Sequence, residues 1–191
     1  MTLAAISRHL VALAGLGAAC AAQAESTLSA GSAAGLAASA RLEFRVVVPT
    51  VIFMQVGTGT NFANNATIDL VDFTVPASDV GSGNPTAGLS SAPVTARVVT
   101  NGNSVSLTAR GSAGGLTNGV QSIPWSQIMP SSGGSLPHPS IGDGVAGAAA
   151  TLVGSGGILD RSANWSFSYR NSNTLPAGNY GGQVTYTAAL P

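Results

Sequence analysis

Between residues 41 and 57 the chain reads RLEFRVVVPTVIFMQVG, and Leu42, Phe44, Val46 and Val48 alternate with Glu43, Arg45 and Val47. A period of two over this length predicts a strand at 41–48 with one apolar face. Pro49 has no N–H for a ladder and marks an edge, a bulge or a crossing between sheets. TVIFMQV beyond it resumes as a strand segment, apolar on both faces as in a covered sheet. In ATIDLVDFTVP, residues Val71, Phe73 and Val75 share a face opposite Asp72 and Thr74, predicting a half-buried strand that Pro76 stops. PVTARVVTNGNSVSLTARG predicts a hairpin: Val94, Ala96 and Val98 point inward, Asn101-Gly102 supplies a tight turn, and Val105, Leu107 and Ala109 return. Trp165, Phe167 and Tyr169 alternate with Ser166, Ser168 and Arg170. A last strand aligns Tyr180, Val184, Tyr186, Ala188 and Leu190.

The stretches between these strands are turn chemistry. GTGTNFANN and ASDVGSGNPTAGLSSAP are polar loops, and residues 111–163 are Gly/Ser-rich with apolar islands at SIPWSQIM and GAAATLVG. Trp125 anchors the first island in the core or against a sheet edge; the second reads equally as strand or helix. Short strands without a sustained helical period predict an all-β antiparallel sandwich. LPAGNY adds a detail. Leu175, Gly178 and Tyr180 resemble the tyrosine corner of immunoglobulin-like folds, where the tyrosine hydroxyl bonds back to nearby backbone.

Residues 1–24 read as a signal peptide: Arg8 and His9 precede an apolar run from Leu10 to Ala22, and Ala22-Gln23-Ala24 is a small-x-small cleavage site. The run is short for a bilayer span, so no stable membrane span is expected. Cleavage after Ala24 would remove Cys20, the only cysteine, with the leader; a lipid-modified Cys20 is the competing reading, although the leucine upstream of it is one position too distant for the usual lipoprotein signal. The exported part then has no disulfide or thiol chemistry. Residues 25–40, ESTLSAGSAAGLAASA, read as a flexible Ala/Gly/Ser-rich arm in which a short helix is the other option, and 41–191 as one domain. Only 7% of residues are charged, seven basic against seven acidic, and every basic one is arginine. A nucleic-acid partner needs a basic stripe, and this chain has none. Nor does it have the lysines that commonly guard exposed strand edges.

Candidate chemistry is thin. His138 in LPHPS lies near Ser140 and Asp143, so a hydrolase triad can be drawn, but no nucleophile elbow accompanies it and a solvated loop histidine is the better reading. Asp69, Asp72 and Asp79 are near enough in sequence to share a calcium ion. However, Asp69 and Asp72 differ in strand parity, which favours solvated carboxylates. The acidic set holds no pair in a frame suited to glycoside cleavage. Trp125, Trp165, Tyr169, Tyr180 and Tyr186 could form a carbohydrate platform; at strand spacing they read better as core. Asn65-Ala-Thr67 and Asn164-Trp-Ser166 fit the glycan-acceptor pattern. No catalytic residue, metal site or cofactor is assigned.

A leader, the alternating strand ARLEFRVVVP and the ending PAGNYGGQVTYTAALP together resemble bacterial exported β-sandwich subunits of the pilin-like and cell-surface kind. The resemblance covers mainly the two ends of the mature chain. Many chaperone–usher pilins carry a disulfide that this chain cannot form. What it implies is a pilin-like sandwich acting as a non-enzymatic structural or adhesive subunit, fimbrial or cell-surface, located in the periplasm, on the cell surface or outside the cell. Its partners would be proteins: further copies, other surface subunits or a periplasmic chaperone. It also implies assembly by strand addition, with Leu42, Phe44, Val46 and Val48 filling a neighbour's groove. The same strand could instead be the first strand of a self-sufficient sandwich, and the sequence leaves both open. The alternative function is a monomeric periplasmic or secreted binding module for carbohydrate or another polymer.

Overall fold

The structure, a computed structural model, describes residues 25–32, 35–60, 62–89 and 94–191. The chain divides into two units between Val48 and Pro49. The expected leader and Cys20 lie outside the described residues. The described residues of the first unit form no helix or strand, and an exposed ion pair joins Arg41 Nε to Glu25 Oε2 at 2.8 Å. The strand expected at 41–48 enters no ladder among the described residues.

The second unit is all-β. Its strands are β1 (Ile52–Val56), β2 (Thr86–Ala87), β3 (Val94–Thr100), β4 (Ser104–Gly111), β5 (Leu116–Thr117), β6 (Ser122–Ile123), β7 (Ile128–Gly134), β8 (Ile141–Asp143), β9 (Ala150–Val153), β10 (Leu159–Tyr169) and β11 (Val184–Ala189). One sheet runs β1-β3-β10-β2, with β7 also on β10; the other runs β11-β4-β8, with β9 also on β4; β5 and β6 form a small ribbon. All pairs are antiparallel except β4 with β8.

The two sheets pack through the faces that the alternation marks. Ala96, Val98, Val105, Leu107 and Ala109 are fully buried, joined by Leu136, Leu159 and Trp165. At roughly 1.5–3 kcal/mol per large apolar side chain, this layer can hold the sheets together without a covalent staple. Trp165 spends its one polar atom inside the core, where Nε1 donates to the Leu136 carbonyl at 3.1 Å. A second cluster gathers Ile123, Trp125, Ile128 and Tyr169, with Leu175, Tyr180 and Val184 packed against it. Trp125 therefore sits in the core, and the island at 147–154 contains a strand, β9.

Three expectations are corrected. Asn101-Gly102 does not close a hairpin: β3 and β4 belong to different sheets, and neither residue adopts a positive φ. The asparagine acts through its side chain instead, accepting from Val51 N–H at 2.8 Å and donating to the Pro49 carbonyl at 2.7 Å. Thr100 reinforces the corner by donating to the Val51 carbonyl at 2.6 Å. The second correction concerns residues 66–76, which form no regular strand; a single bridge ties Asp72 to Leu89, although Val71, Phe73 and Val75 are half-buried as their alternation requires. Third, β7 emerges from IMPSSGG, which carries little strand propensity. It pairs only with β10, and this edge position tolerates Pro130.

Candidate functional site

An apolar cavity of about 430 Å³ opens into the sandwich along β11. Val56, Ile68, Leu70, Val71 and Phe73 line one wall, Val184 and Tyr186 of β11 the other, and Trp125, Ile128, Ile141 and Phe167 also contribute. The irregular course of 66–76 shapes the first wall: side chains alternate as on a strand, but Ile68 and Leu70 stay exposed. On the opposite wall, β11 hydrogen-bonds to β4 along one edge and forms no ladder on the other among the described residues, although β1 of the facing sheet lies near it. Its inward side chains Val184, Tyr186 and Ala188 are only half-buried, as expected beside an unfilled space.

Trp125, which lines the groove, is seated on Gly111. The indole lies against the Gly111 backbone, and its Nε1 donates to the Ser112 carbonyl at 2.8 Å. Tyr180 closes the nearby turn by donating its hydroxyl hydrogen to the Pro176 carbonyl at 2.9 Å; Leu175 packs into the second cluster, and Gly178 lies in the turn between them.

His138 lies between the sheets rather than in solvent. Its ring packs edge-on against Trp165, Phe167 and Tyr186 at centroid distances of 4.6, 5.4 and 5.4 Å, and Nε2 is 2.7 Å from the Tyr186 hydroxyl. Nδ1 is buried without a hydrogen bond of good geometry, although the Pro139 backbone favours a proton there. Burial pushes the imidazole down to about 4, only partly opposed by Pro139, so the ring is neutral at neutral pH. Burial also raises the Tyr186 phenol. The sequence could have exposed this cluster only through the shared parity of Trp165 and Phe167 with an inward Tyr186; the flanking prolines pointed to an open loop.

The remaining candidates separate. His138 bonds Tyr186, whereas the Asp143 carboxylate accepts from Gly114 N–H at 2.7 Å, so no triad with Ser140 is assembled. Asp69 is held by the backbone N–H and hydroxyl of Thr58, which keep its carboxyl below the usual range. Among the described residues no three His, Cys, Asp or Glu side chains gather as a metal site. Trp125, Trp165 and Tyr169 are buried and Tyr180 and Tyr186 half-buried, so these aromatics serve the core rather than an exposed platform.

Leu42, Phe44, Val46 and Val48 are 74%, 83%, 85% and 72% exposed, an unusual state for four apolar side chains spaced to share one strand face. No helix among the described residues is long and apolar enough to cross a membrane. The fold defines the class of protein as an all-β sandwich. Comparison with protein-family models, curated proteins and solved structures finds no match.

Proposed function

We propose that this chain is a non-enzymatic, exported structural or adhesive subunit of a fimbria or cell-surface layer, and that it assembles by strand addition. Residues 42–48 of one copy would lie along the free edge of β11 in another, with alternate side chains entering the groove. The observation that carries this reading is the exposure of Leu42, Phe44, Val46 and Val48. Two features of the sandwich support it. The groove is apolar and open, and β11 offers six residues of edge to a segment about 20 Å long when extended. Backbone pairing would supply affinity and the side-chain pockets register.

Each buried apolar side chain contributes roughly 1.5–3 kcal/mol, so the four together can offset the cost of association. Size-exclusion chromatography and analytical ultracentrifugation of the exported chain should show concentration-dependent oligomers. Phe44→Asp should weaken association by at least about 100-fold, from the lost burial plus the cost of burying a carboxylate, and leave the monomer folded. A discrete monomer at every concentration, with 41–48 protected from exchange, would overturn strand donation and favour the monomeric binding module.

A further inference from the structure

The groove wall contains a group whose charge state can change, and it is built into the fold rather than placed on the surface. His138 sits in the loop 135–140, anchored by the buried Leu136 and Pro139. Its Nε2 reaches across to the hydroxyl of Tyr186, a residue of β11 that lines the groove. Phe167, which also lines the groove, packs edge-on against the imidazole. β10 therefore presents Trp165 and Phe167 to the ring, β11 presents Tyr186, and the ring's own loop presents prolines and Leu136. No carboxylate or guanidinium contributes to its electrostatics. A proton placed there would be an uncompensated charge among aromatic rings, and the least costly relief is for the ring to swing to water with its loop.

We infer that the His138–Tyr186 contact is an acid-released latch on the groove: protonation of His138 detaches the 135–140 loop and loosens β11 as the groove wall. With the neutral ring in place, Nε2 holds Tyr186 inward and β11 stays seated on β4. With the ring expelled, Tyr186 and Phe167 lose a shared packing partner and the groove can widen to admit a strand. The consequence for assembly rests on the proposed strand addition; the loosening of β11 does not.

The test is amide hydrogen exchange over 184–189 in the full chain carrying Phe44→Asp, which removes self-association without touching the core. An imidazole that titrates near its ordinary 6.5 when released and near 4 when seated favours release as pH falls. After correction for intrinsic exchange, opening of β11 should be about tenfold greater at pH 5 than at pH 7, allowing for the ring's remaining contact with water. His138→Gln, which can still bond Tyr186 but cannot take up a proton in this range, should reduce that ratio to about one. Equal β11 protection at the two pH values overturns the latch on the parent chain alone, and so does an unchanged ratio in His138→Gln. With Phe44 intact, assembly should be faster at pH 5 than at pH 7. Acid loosening of β11 without faster assembly overturns the regulatory role. A chain that never assembles refutes strand addition while the exchange data still decide the latch.

Discussion

Replacing Gly111 with alanine puts a methyl group where the Trp125 indole lies. A Cβ built at 111 falls 2.2 Å from Nε1, 2.3 Å from Cε2 and 2.7 Å from Cδ1, about 1.3 Å inside van der Waals contact at its closest. The obstructing atoms belong to a rigid, buried ring at the end of β4, so no flexible side-chain tip can give way. The indole can leave its seat and break the Nε1 bond to Ser112, worth about 1 kcal/mol. Otherwise the strands must shift, at about 1–3 kcal/mol for an overpacked core. Gly111→Ala should therefore cost about 2–4 kcal/mol in urea unfolding followed by far-UV circular dichroism.

A double-mutant cycle separates this cause from ordinary loss of backbone freedom. Trp125→Leu removes the ring that the methyl group strikes, so Gly111→Ala in that background should cost less than about 1 kcal/mol. The coupling should be about 2 kcal/mol. Additive effects, or a neutral Gly111→Ala, would show that the indole does not rest on the Gly111 backbone and would undo the account of how Trp125 is seated. Oligomer formation by Gly111→Ala should also weaken, because Trp125 lines the groove.

Asn171 is buried at a positive φ of 53°, with Oδ1 accepting from Gly81 N–H at 3.1 Å and Nδ2 donating to the Asp79 carbonyl. Asn171→Ala should cost about 2–3 kcal/mol in the same unfolding assay, since it strands two polar groups, and Asn171→Gly should recover only the backbone part. Tyr180→Phe removes the hydroxyl bond to Pro176 and should cost about 0.5–1.5 kcal/mol, with Leu175 and Val184 still packed. His138 should make stability depend on acid. Its folded value of about 4 lies below the unfolded 6.5, so the unfolded chain takes up the proton first. Stability is then full above pH 6.5, declines as pH falls towards 4 and levels off below it. The gap corresponds to about 3 kcal/mol, or about 2 once the ring's residual exposure to water is allowed for. Urea midpoints at pH 7 and pH 4.5 measure it, and a His138→Gln profile as steep as the parent's between these values would refute it.

Period-two alternation located the sandwich faces because burial acts on side chains one residue at a time. Val94, Ala96 and Val98, then Val105, Leu107 and Ala109, lie in the core where their parity places them. Pairing was less legible because it depends on where the chain turns. Asn101-Gly102 satisfies a hairpin turn and an inter-sheet corner equally well in sequence; the choice is made by Pro49 and Val51, distant backbone groups that the Asn101 amide ties down. β7 was invisible because Pro130, Ser131, Ser132, Gly133 and Gly134 contribute no alternating hydrophobicity, and β10 supplies the ladder that defines them. The groove belongs to the same category. Val56, Phe73, Trp125, Phe167 and Tyr186 each announce burial, and nothing in their spacing says that the space between them stays open. Leu42, Phe44, Val46 and Val48 are the instructive opposite, a strong strand pattern that enters no ladder among the described residues.

The scarcity of charge changes what such an opening means. A soluble sandwich commonly protects an exposed strand edge with lysine, an inward charge, a bulge or a covering loop. This chain has no lysine, and β11 offers Thr185 and Thr187 on its outer face where an edge guard could stand. The one ion pair described on the sheets, Arg97 with Asp160, lies across β3 and β10, away from the β11 edge. An apolar groove beside an unguarded edge and an apolar segment without a ladder are each liabilities in water, costing roughly 25 cal/mol for every Å² of apolar surface left wet. Under the proposed strand addition each would cover the other, a period-two segment of 42–48 against the six-residue edge of β11. Adding charge to either should therefore improve solubility and abolish assembly by the same substitution. That coupling distinguishes an edge kept open for a partner from a core that is merely incomplete: filling an incomplete core would raise the monomer's stability without any dependence on residues 42–48.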